Sequence, residues 1–325
     1  MRLVIRSRPE DAAQYIIDYI IHRIKTFAPT PSRPFTLGLP TGSSPLPIYK
    51  ALIAAYKQGK VSFEHVVTFN MDEYVGLPRE HPQSYHSFMW SNFFNHVNID
   101  PANVNILDGT AGSLEGECER FEQKIRKSGG IELFLGGVGS DGHIAFNEPG
   151  SSLGSRTRVK TLADETIEAN ARFFGGDVRL VPRMALTVGV QTIMDAREVI
   201  VIATGSEKAV AVRDGVEGGV SQMCTLSCLQ MHPAAMIVVD EGATGELKVK
   251  TVTYFAGVEK TMVQREITEV ELPTTPVNPK LDTSVASAIW QDGELTPDSM
   301  SSRIDSPNVM GVRAGVPFEL DRSVS

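Results

Sequence analysis

The stretch Ile131-Glu-Leu-Phe-Leu-Gly-Gly-Val-Gly-Ser-Asp-Gly-His-Ile-Ala-Phe-Asn-Glu148 decides how this 325-residue chain folds and where its chemistry lies. It begins with an apolar run that predicts a buried strand. Four glycines and three ionisable side chains follow in close succession, among them Gly137, Gly139, Asp141, His143 and Glu148. Glycine lets a backbone approach a ligand, and ionisable groups can then move protons, so the stretch predicts a catalytic loop at a strand end.

Other parts of the chain repeat the pattern of a short apolar strand followed by a helix. Four more apolar runs read as buried strands: 35–39, 66–69, 199–203 and 235–239. Helical spacing of apolar residues separates them, as at Ile16, Ile20 and Ile24 and again over residues 114–127. Strands that alternate with helices predict an α/β protein whose mostly parallel sheet is covered on both faces.

Polar motifs follow four of the five predicted strands, at the edge where an open parallel sheet binds its ligands. Pro40-Thr-Gly-Ser-Ser44 combines unpaired amides, a helix N-terminus and hydroxyl groups, which together make a cradle for phosphate. Ser44 is expected to cap the next helix, with Pro45 in its first turn. A plain capped turn between strand and helix is the alternative interpretation.

Two further strand-end motifs carry charged groups. Thr204-Gly-Ser-Glu-Lys208 places Lys208 at the start of a helix, where a cation opposes the helix dipole and so indicates a bound anion. Asn70-Met-Asp-Glu-Tyr74 places Asp72 just beyond a buried strand, where partial desolvation raises the pKa of a carboxyl towards that of a useful base. A solvated acidic turn is the alternative for the second motif.

Three better-known motifs fit the sequence poorly. Residues 137–142 match the Gly-x-Gly-x-x-Gly dinucleotide fingerprint, but Pro149 comes too soon for the helix that this fingerprint requires. The nucleophile-elbow pattern at 150–154 has no preceding strand, which argues against a serine hydrolase. The spacing of the ionisable residues in the 137–148 loop fits no common metal-ligand motif, so no metal is expected.

Composition narrows the class of protein. Residues 265–325 hold ten acidic and five basic residues, so they supply about −5 of the net charge of −8. The sequence has no stripe of basic residues, which argues against binding of nucleic acid. No apolar run approaches the ~20 residues that cross a bilayer, and the first six residues are too short and charged for a signal peptide. Three cysteines suit a reducing compartment, so a cytoplasmic location is predicted: Cys118, Cys224 and Cys228.

The chain divides into two parts by composition. Residues 1–264 carry the alternation of strands and helices and form the predicted catalytic domain. Leu272-Pro-Thr-Thr-Pro-Val-Asn-Pro279 cannot hold regular structure, and most of the chain from there to Ser325 is rich in Ser, Asp and Pro. Residues 265–325 are therefore predicted to be an acidic, Pro/Ser-rich, disordered tail.

Taken together, the motifs resemble the glucosamine-6-phosphate deaminase (glucosamine-6-phosphate isomerase) family. The resemblance covers about residues 1–263 and rests on six stretches: 37–43, 66–78, 134–149, 151–161, 185–189 and 247–251. It implies a modified Rossmann-like α/β/α fold, shared with sugar-phosphate isomerases and phosphogluconolactonases. It also implies that glucosamine 6-phosphate and water become fructose 6-phosphate and ammonia, a step of N-acetylglucosamine catabolism that needs no cofactor or metal.

The resemblance implies roles for individual residues. Asp72 is expected to take the C2 proton and pass it towards C1, and His143 to open the sugar ring. Asp141 and Glu148 would hold the tautomer and charge of that imidazole. The substrate phosphate is expected at five residues: Gly42, Ser43, Ser44, Arg172 and Lys208. Arg172 would belong to a mobile lid, although without the resemblance it reads as a surface arginine.

Bacterial members of the family carry an allosteric site for N-acetylglucosamine 6-phosphate at a subunit interface. The matching positions in this chain are Ser151, Ser152, Arg158, Lys160, Thr161 and Tyr254. Phe121 stands where the bacterial pattern has a tyrosine, so this chain lacks one hydroxyl group near that site. Members occur as monomers, dimers, trimers or hexamers. The resemblance therefore implies a homo-oligomer, up to a hexamer, but does not fix the number of subunits.

Two other functions stay open at this point. A 6-phosphogluconolactonase or another sugar-phosphate enzyme would share the fold, but Asn70-Met-Asp72 together with the 137–148 loop argues against it. A catalytically silent sugar-phosphate sensor would use the phosphate cradle alone. Such a sensor has no need of proton-transfer groups such as Asp72 and His143.

Overall fold

The structure is a computed structural model that describes residues 1–271, with side chains described to residue 262. Ten strands lie in this part of the chain: β1 (Arg2–Arg6), β2 (Phe35–Leu39), β3 (Val66–Asn70), β4 (Asp72–Tyr74), β5 (Val104–Asn105), β6 (Leu133–Gly137), β7 (Arg158–Thr161), β8 (Met184–Thr187), β9 (Glu198–Ala203) and β10 (Ala235–Asp240). Eight α-helices lie between and after them: α1 (Pro9–Phe27), α2 (Leu46–Lys57), α3 (Tyr85–Asn92), α4 (Leu114–Lys127), α5 (Asp164–Asn170), α6 (Val190–Met194), α7 (Ala209–Val216) and α8 (Val249–Glu271).

Seven strands form one parallel sheet in the order β1-β10-β9-β6-β2-β3-β5. The chain builds outward from β2 to β3 and β5 on one side, and from β6 to β9 and β10 on the other. The loops that leave β2 and β6 therefore diverge, and a crevice opens between them at the carboxyl edge of the sheet. The predicted α/β fold with a mostly parallel central sheet is confirmed.

Helices cover both faces of this sheet because its strands are apolar on both sides. Leu133 and Leu135 of β6 belong to one core, together with Ile20 of α1. Phe134 between them points to a second core, where Phe121 of α4 is buried. Each fully buried side chain of this size contributes about 1.5–3 kcal/mol, so the two cores hold the three α/β/α layers together.

A second, three-stranded antiparallel sheet has the order β4-β8-β7, and the sequence does not predict it. The junction with the first sheet is Met71, whose N–H donates to the Leu39 carbonyl at 3.1 Å. Its carbonyl accepts from the Val188 N–H at 2.8 Å. Asp72 then pairs with Thr187 of β8 and opens a strand, so the alternative of a solvated acidic turn is wrong.

Several element ends differ from the sequence expectation. The parallel sheet has seven strands rather than five, because β1 and the two-residue β5 lie at its edges. β6 runs two residues further than the predicted 131–135, since Gly136 and Gly137 still pair with β9. Helix α2 begins at Leu46 with Pro45 at the cap position and no side-chain cap, so the predicted capping by Ser44 is wrong.

Helix α8 continues to Glu271, so residues 265–271 of the predicted tail are helical. Residues 272–325, which hold the rest of that predicted tail, lie outside the described residues. The boundary at residue 264 therefore stays a prediction. Neither α8 nor any other helix within residues 1–271 has the length and hydropathy that crossing a bilayer requires.

Substitution of Gly38, in the middle of β2, tests how tightly this strand packs against its neighbour β6. A Cβ atom at this position would lie 2.5 Å from the ring of Phe134, its neighbour in β6, which is fully buried. Gly38→Ala is therefore expected to lower the free energy of unfolding by about 1–3 kcal/mol, measured by urea denaturation. Gly112→Ala, whose Cβ would meet nothing within 4 Å, is the matched control. Equal stability of the two variants would contradict this packing.

Candidate active site

A cavity of about 1210 Å³ lies at the carboxyl edge of the parallel sheet. Its walls come from the loops after β2, β3, β6 and β9 and from the segment after β7. The residues predicted to be catalytic or to bind substrate all line it: Gly42, Ser43, Ser44, Asp72, Gly137, Gly139, Asp141, His143, Glu148, Arg172 and Lys208. The fold thus brings the four strand-end motifs together in one cavity.

Asp72 lies in this cavity as a buried carboxyl group. It is only 7 % exposed, and its Oδ1 has no hydrogen-bond partner among the described residues. Burial, and after it the charge of the adjacent Glu73, raises the pKa of Asp72 to about 8. Because an ordinary aspartate ionises near pH 4, the ionised form of this group is a much stronger base than a solvated carboxylate.

Glu73 is a second buried carboxyl, and backbone N–H groups hold it. Oε1 accepts from the N–H groups of Tyr74 at 2.8 Å and Tyr85 at 2.9 Å, and Oε2 accepts from that of His86 at 2.8 Å. Burial raises the pKa of Glu73, and these three donors oppose that rise. Two of the donors belong to the first turn of α3, so Glu73 ties β4 to a helix N-terminus.

Asp141 and His143 form a close pair in the 137–148 loop. Oδ1 of Asp141 lies 2.6 Å from Nδ1 of His143 and also accepts a hydrogen bond from the His143 backbone N–H at 3.2 Å. Burial favours the neutral form of Asp141, but the hydrogen bond and charge of His143 outweigh it and hold the pKa of Asp141 below its usual value. Since Nδ1 faces the carboxylate, Nε2 is the ring nitrogen left for a substrate.

The glycines of this loop mainly make room for the side chains around them. A Cβ at Gly139 would lie 2.4 Å from the ring of His143, and one at Gly142 would lie 2.4 Å from Sγ of Cys224. Gly137, in contrast, has nothing within 4 Å of its Cβ position. The absence of a side chain at Gly139 and Gly142 therefore serves the packing of the loop, while the close approach of a ligand to Gly137 and Gly139, which both line the cavity, stays a prediction.

Glu148 contacts the segment after β7. Its Oε1 accepts from the N–H of Ala163 at 2.9 Å and from the hydroxyl of Thr166 at 2.5 Å, and its Oε2 lies 3.8 Å from Nζ of Lys160. Among the described residues, none of its hydrogen bonds reaches His143. The predicted support of the imidazole by Glu148 is therefore not formed in this conformation, whereas Oδ1 of Asp141 lies 2.6 Å from Nδ1 of His143. The roles of both carboxylates stay predictions.

The loop at residues 40–44 offers free amides to the cavity. No hydrogen bond among the described residues uses an N–H group of residues 41–44. Gly42 has a φ of +101°, a conformation that glycine adopts without strain. Beneath the loop, the buried hydroxyl of Tyr49 donates to the Pro40 carbonyl at 2.5 Å and fixes the start of the loop from inside the core. Free amides clustered in this way suit an anion.

Two cations lie near this loop. Lys208 belongs to the turn after β9, and Arg172 belongs to the 171–174 turn, where its guanidinium lies 4.7 Å from the ring centre of Phe173. Burial lowers the pKa of Lys208, Glu207 opposes that shift, and Arg172 adds to it. Neither cation has a carboxylate partner within 4.0 Å in the described part of the chain, so a bound anion would stabilise the charged form of both.

Aromatic rings that sequence reasoning missed form one wall of the cavity. Tyr74 and Tyr85 have ring centres 4.8 Å apart, and Phe146 stacks on Tyr85 at 6.3 Å. Phe174 meets the edge of Tyr74 at 5.8 Å. Tyr74 and Phe146 lie within the strand-end motifs, where their type predicts ordinary core residues. No motif around Tyr85 predicts a place in the site. Such a wall suits the apolar face of a sugar ring.

The six residues expected to bind an activator are not gathered into one pocket within the chain. Lys160 and Thr161 line the catalytic cavity, whereas Tyr254 on α8 is 64 % exposed. Arg158 donates to Oδ1 of Asn147 at 2.8 Å. Two serines complete the set, one buried and one exposed: Ser151 and Ser152. A separate effector site thus stays a prediction that requires a second copy of the chain.

The described residues contain no group of three or more side chains suited to hold a metal ion. The three cysteines are buried and free. Burial raises the pKa of each thiol, to about 11 for Cys118 and about 12 for Cys228. They are therefore neutral thiols at physiological pH and behave as small core side chains.

Known proteins match the chain over most of its length. The family described as glucosamine-6-phosphate isomerases/6-phosphogluconolactonase matches residues 7–246. Glucosamine-6-phosphate deaminase 1 of Bos taurus is 62% identical over 257 residues, which are 79% of this chain and 89% of the bovine protein. The glucosamine-6-phosphate deaminase of Cronobacter sakazakii is 59% identical over 259 residues, which are 80% of this chain and 97% of the bacterial protein.

Solved structures agree with this result. A monomeric glucosamine-6-phosphate deaminase superposes with a TM-score of 0.72 at 37% identity, covering 76% of this chain and 100% of its own. A 6-phosphogluconolactonase from Leishmania guyanensis superposes with a TM-score of 0.59 at 20% identity, covering 76% of this chain and 99% of its own. At that identity the second likeness shows the fold alone.

The buried carboxyl of Asp72 is expected to cost stability in a pH-dependent way. Since folding raises its pKa, stability is lost as pH rises from about 4 to about 8, by about 1.4 kcal/mol for each pH unit at most. Asp72→Asn is therefore expected to raise the melting temperature at pH 8 and to leave it near the wild-type value at pH 4, measured by calorimetry.

Asp108→Asn is a control, because folding lowers the pKa of Asp108 whereas it raises that of Asp72. Hydrogen bonds from Thr110 hold the pKa of Asp108 below its usual value, so this variant is expected to melt no higher than the wild type at pH 8. An Asp72→Asn protein that melts below the wild type at pH 8 would contradict the burial cost assigned to Asp72.

Proposed function

We propose a function from one premise: this chain belongs to the glucosamine-6-phosphate isomerases/6-phosphogluconolactonase family. It is an enzyme that converts glucosamine 6-phosphate and water into fructose 6-phosphate and ammonia. Relatives near 60% identity that bear the name glucosamine-6-phosphate deaminase support this activity. The observation in the structure that carries it is the buried Asp72, whose raised pKa suits proton transfer from carbon, in the same cavity as His143 and the 40–44 loop.

Substrate binding begins at the phosphate group. The free amides of residues 42–44 and the cations Lys208 and Arg172 line the same cavity. A phosphate dianion placed there receives charge-assisted hydrogen bonds and lowers the repulsion between the two cations. The sugar then extends towards Asp72 and the aromatic wall.

Ring opening comes next and needs one proton moved between two oxygens. Nε2 of His143 takes the proton from the C1 hydroxyl, and the imidazolium returns it to the ring oxygen as the C1–O5 bond breaks. Asp141 stabilises the transient imidazolium through Nδ1, at the observed separation of 2.6 Å. The product is the open-chain aldehyde, with no net change in protonation of the enzyme.

Isomerisation then uses Asp72 as a single base. Its ionised carboxylate takes the proton from C2, the electron pair forms a C1–C2 double bond, and the aldehyde oxygen takes a proton that the C2 ammonium group releases. Asp72 then returns its proton to C1, which leaves a protonated imine at C2. Water adds to this imine and ammonia leaves, so the ketone of fructose 6-phosphate forms without oxidation or reduction.

Two alternatives are less well supported. A phosphogluconolactonase needs no base for a carbon-bound proton, and the solved 6-phosphogluconolactonases that resemble this chain lie at 17–20% identity. A sensor without catalysis would gain nothing from a buried carboxyl that costs stability. The unpartnered Oδ1 of Asp72 therefore favours the deaminase over both.

A product assay tests the function. Incubated with glucosamine 6-phosphate, the protein is expected to release ammonia and fructose 6-phosphate in equal amounts. Because Asp72 must be ionised in the free enzyme, kcat/KM is expected to fall about tenfold for each pH unit below about 8. Asp72→Asn should lose kcat by about a hundredfold or more while still binding substrate. Absence of product, or a variant with near wild-type kcat, would contradict the proposal.

We infer further that the enzyme is a cytoplasmic homo-oligomer under allosteric control. The support is the position of Arg158 and Lys160 on β7, which leads into the segment that holds Glu148, so an anion there would act on that carboxylate. Ser151 adds a buried hydroxyl without a partner in the described residues. Tyr254 would reach the same anion only from a neighbouring copy.

Rate measurements with N-acetylglucosamine 6-phosphate test this control. The activator is expected to lower the substrate concentration at half-maximal rate in the wild type, and Arg158→Met is expected to abolish the effect. Tyr254→Phe should weaken the effect without changing the rate that is measured in the absence of activator. An activator that changes neither substrate affinity nor turnover in the wild type would contradict allosteric control.

A further inference from the structure

The turn that joins His143 to Glu148 is held from outside the cavity. Ala145 within it has a φ of +52°, a left-handed conformation that is strained for any residue with a Cβ. Asn147 closes the turn, because its N–H and its Nδ2 both donate to the Ile144 carbonyl, at 3.1 and 2.9 Å. Such a conformation persists only where neighbouring groups over-determine it.

Thr225 supplies the contacts that join the two ends of this turn. Its Oγ1 accepts a hydrogen bond from the Ile144 N–H at 3.1 Å and donates one to the Asn147 carbonyl at 3.0 Å. The side chain is 1 % exposed, so water cannot replace either bond. Thr225 does not line the cavity, and it acts on the loop from the side away from the substrate.

The segment that carries Thr225 is itself rigid. The N–H of Leu226 donates to the Gly142 carbonyl at 2.9 Å, and its fully buried side chain packs against Gly215 of α7. Oγ of Ser227 donates to the Cys224 carbonyl at 2.6 Å and accepts from the Ser221 N–H at 2.8 Å. The hydroxyl of Thr225 is therefore a fixed point to which the turn is attached.

We propose that Thr225 is a positioning residue, whose hydroxyl holds the 144–147 turn and thereby sets His143 and Glu148, on either side of it, in their catalytic places. The inference rests on the proposed function, in which His143 opens the sugar ring. Loss of the hydroxyl leaves a donor on Ile144 and an acceptor on Asn147 unpaired in the interior, and the turn relaxes towards an unstrained conformation. Phosphate binding, which depends on the 40–44 loop, is not affected.

Thr36 provides a matched control. Its hydroxyl is also 1 % exposed and makes the same pair of bonds, donating to the Gly130 carbonyl at 2.8 Å and accepting from the Glu132 N–H at 2.9 Å. It lies near the start of β2, at the opposite end of that strand from the cavity. Thr36→Val and Thr225→Val thus each remove a buried hydroxyl that joins two backbone groups, one of them away from the catalytic loop. The Glu132 N–H additionally keeps a bond to the Thr36 carbonyl at 3.0 Å.

The experiment measures kcat, KM, melting temperature and amide exchange in the full-length protein. Thr225→Val is expected to lower kcat by about tenfold or more, with KM for glucosamine 6-phosphate within about twofold of the wild type. The Ile144 amide, followed by hydrogen exchange and mass spectrometry, is expected to exchange about tenfold faster. Thr225→Ser, which keeps the hydroxyl, should restore both kcat and protection. Thr36→Val should lower the melting temperature less than Thr225→Val does, because the Glu132 N–H keeps its bond to the Thr36 carbonyl, and it should change neither kcat nor this exchange rate.

Two results would overturn the proposal. One is an equal loss of kcat in Thr225→Val and Thr36→Val, which would make the role one of general stability. The other is unchanged protection of the Ile144 amide in Thr225→Val. If Thr225→Val does not accumulate, Thr225→Cys carries the same prediction, because a thiol is a weak donor and acceptor. An inactive wild type would remove the proposed function, while the exchange measurement would still decide whether Thr225 holds the turn.

Discussion

The chemistry of this protein depends on one constraint, the burial of the Asp72 carboxyl group at a place where none of the described residues donates a hydrogen bond to its Oδ1. Met71 bonds to Leu39 of the parallel sheet and to Val188 at the edge of the antiparallel one, so Asp72 is fixed at the junction of the two sheets. Asp72 is only 7 % exposed there, yet it lines the cavity that is open to a substrate. The burial that costs folding free energy is the same burial that makes the carboxylate basic.

The parallel sheet positions the other functional groups of the cavity. Because β3, β2, β6 and β9 are neighbours that end at one edge, short loops suffice to place a base, free amides, an imidazole and a lysine around one volume. Buried hydroxyl groups outside the cavity then set the shape of these loops. Tyr49 fixes the 40–44 loop, while Thr187 and Thr225 bond the 144–147 turn. Groups that touch a substrate are thus held by groups that do not.

The local pattern of apolar and polar residues predicts many of the strands, helices and site residues. It does not predict features that depend on contacts between residues far apart in the sequence. The strand at 35–39 and the helix at 114–127 lie where apolar spacing places them, because each buries its own periodic face. The antiparallel sheet escapes prediction, since β4 has three residues and β7 is polar and partly exposed. For that reason Lys160 and Thr161 line the catalytic cavity unexpectedly. Thr225 contacts a residue 81 positions away, which no local motif encodes.

A ¹³C NMR titration of the Asp72 side-chain carboxyl in the ligand-free protein measures the central quantity directly. The Asp72→Asn spectrum identifies the resonance. Burial and the neighbouring charge of Glu73 predict a midpoint near pH 8. A midpoint near pH 4, the value of a solvated aspartate, would contradict the role of this buried carboxyl as a strong base and with it the mechanism built on it.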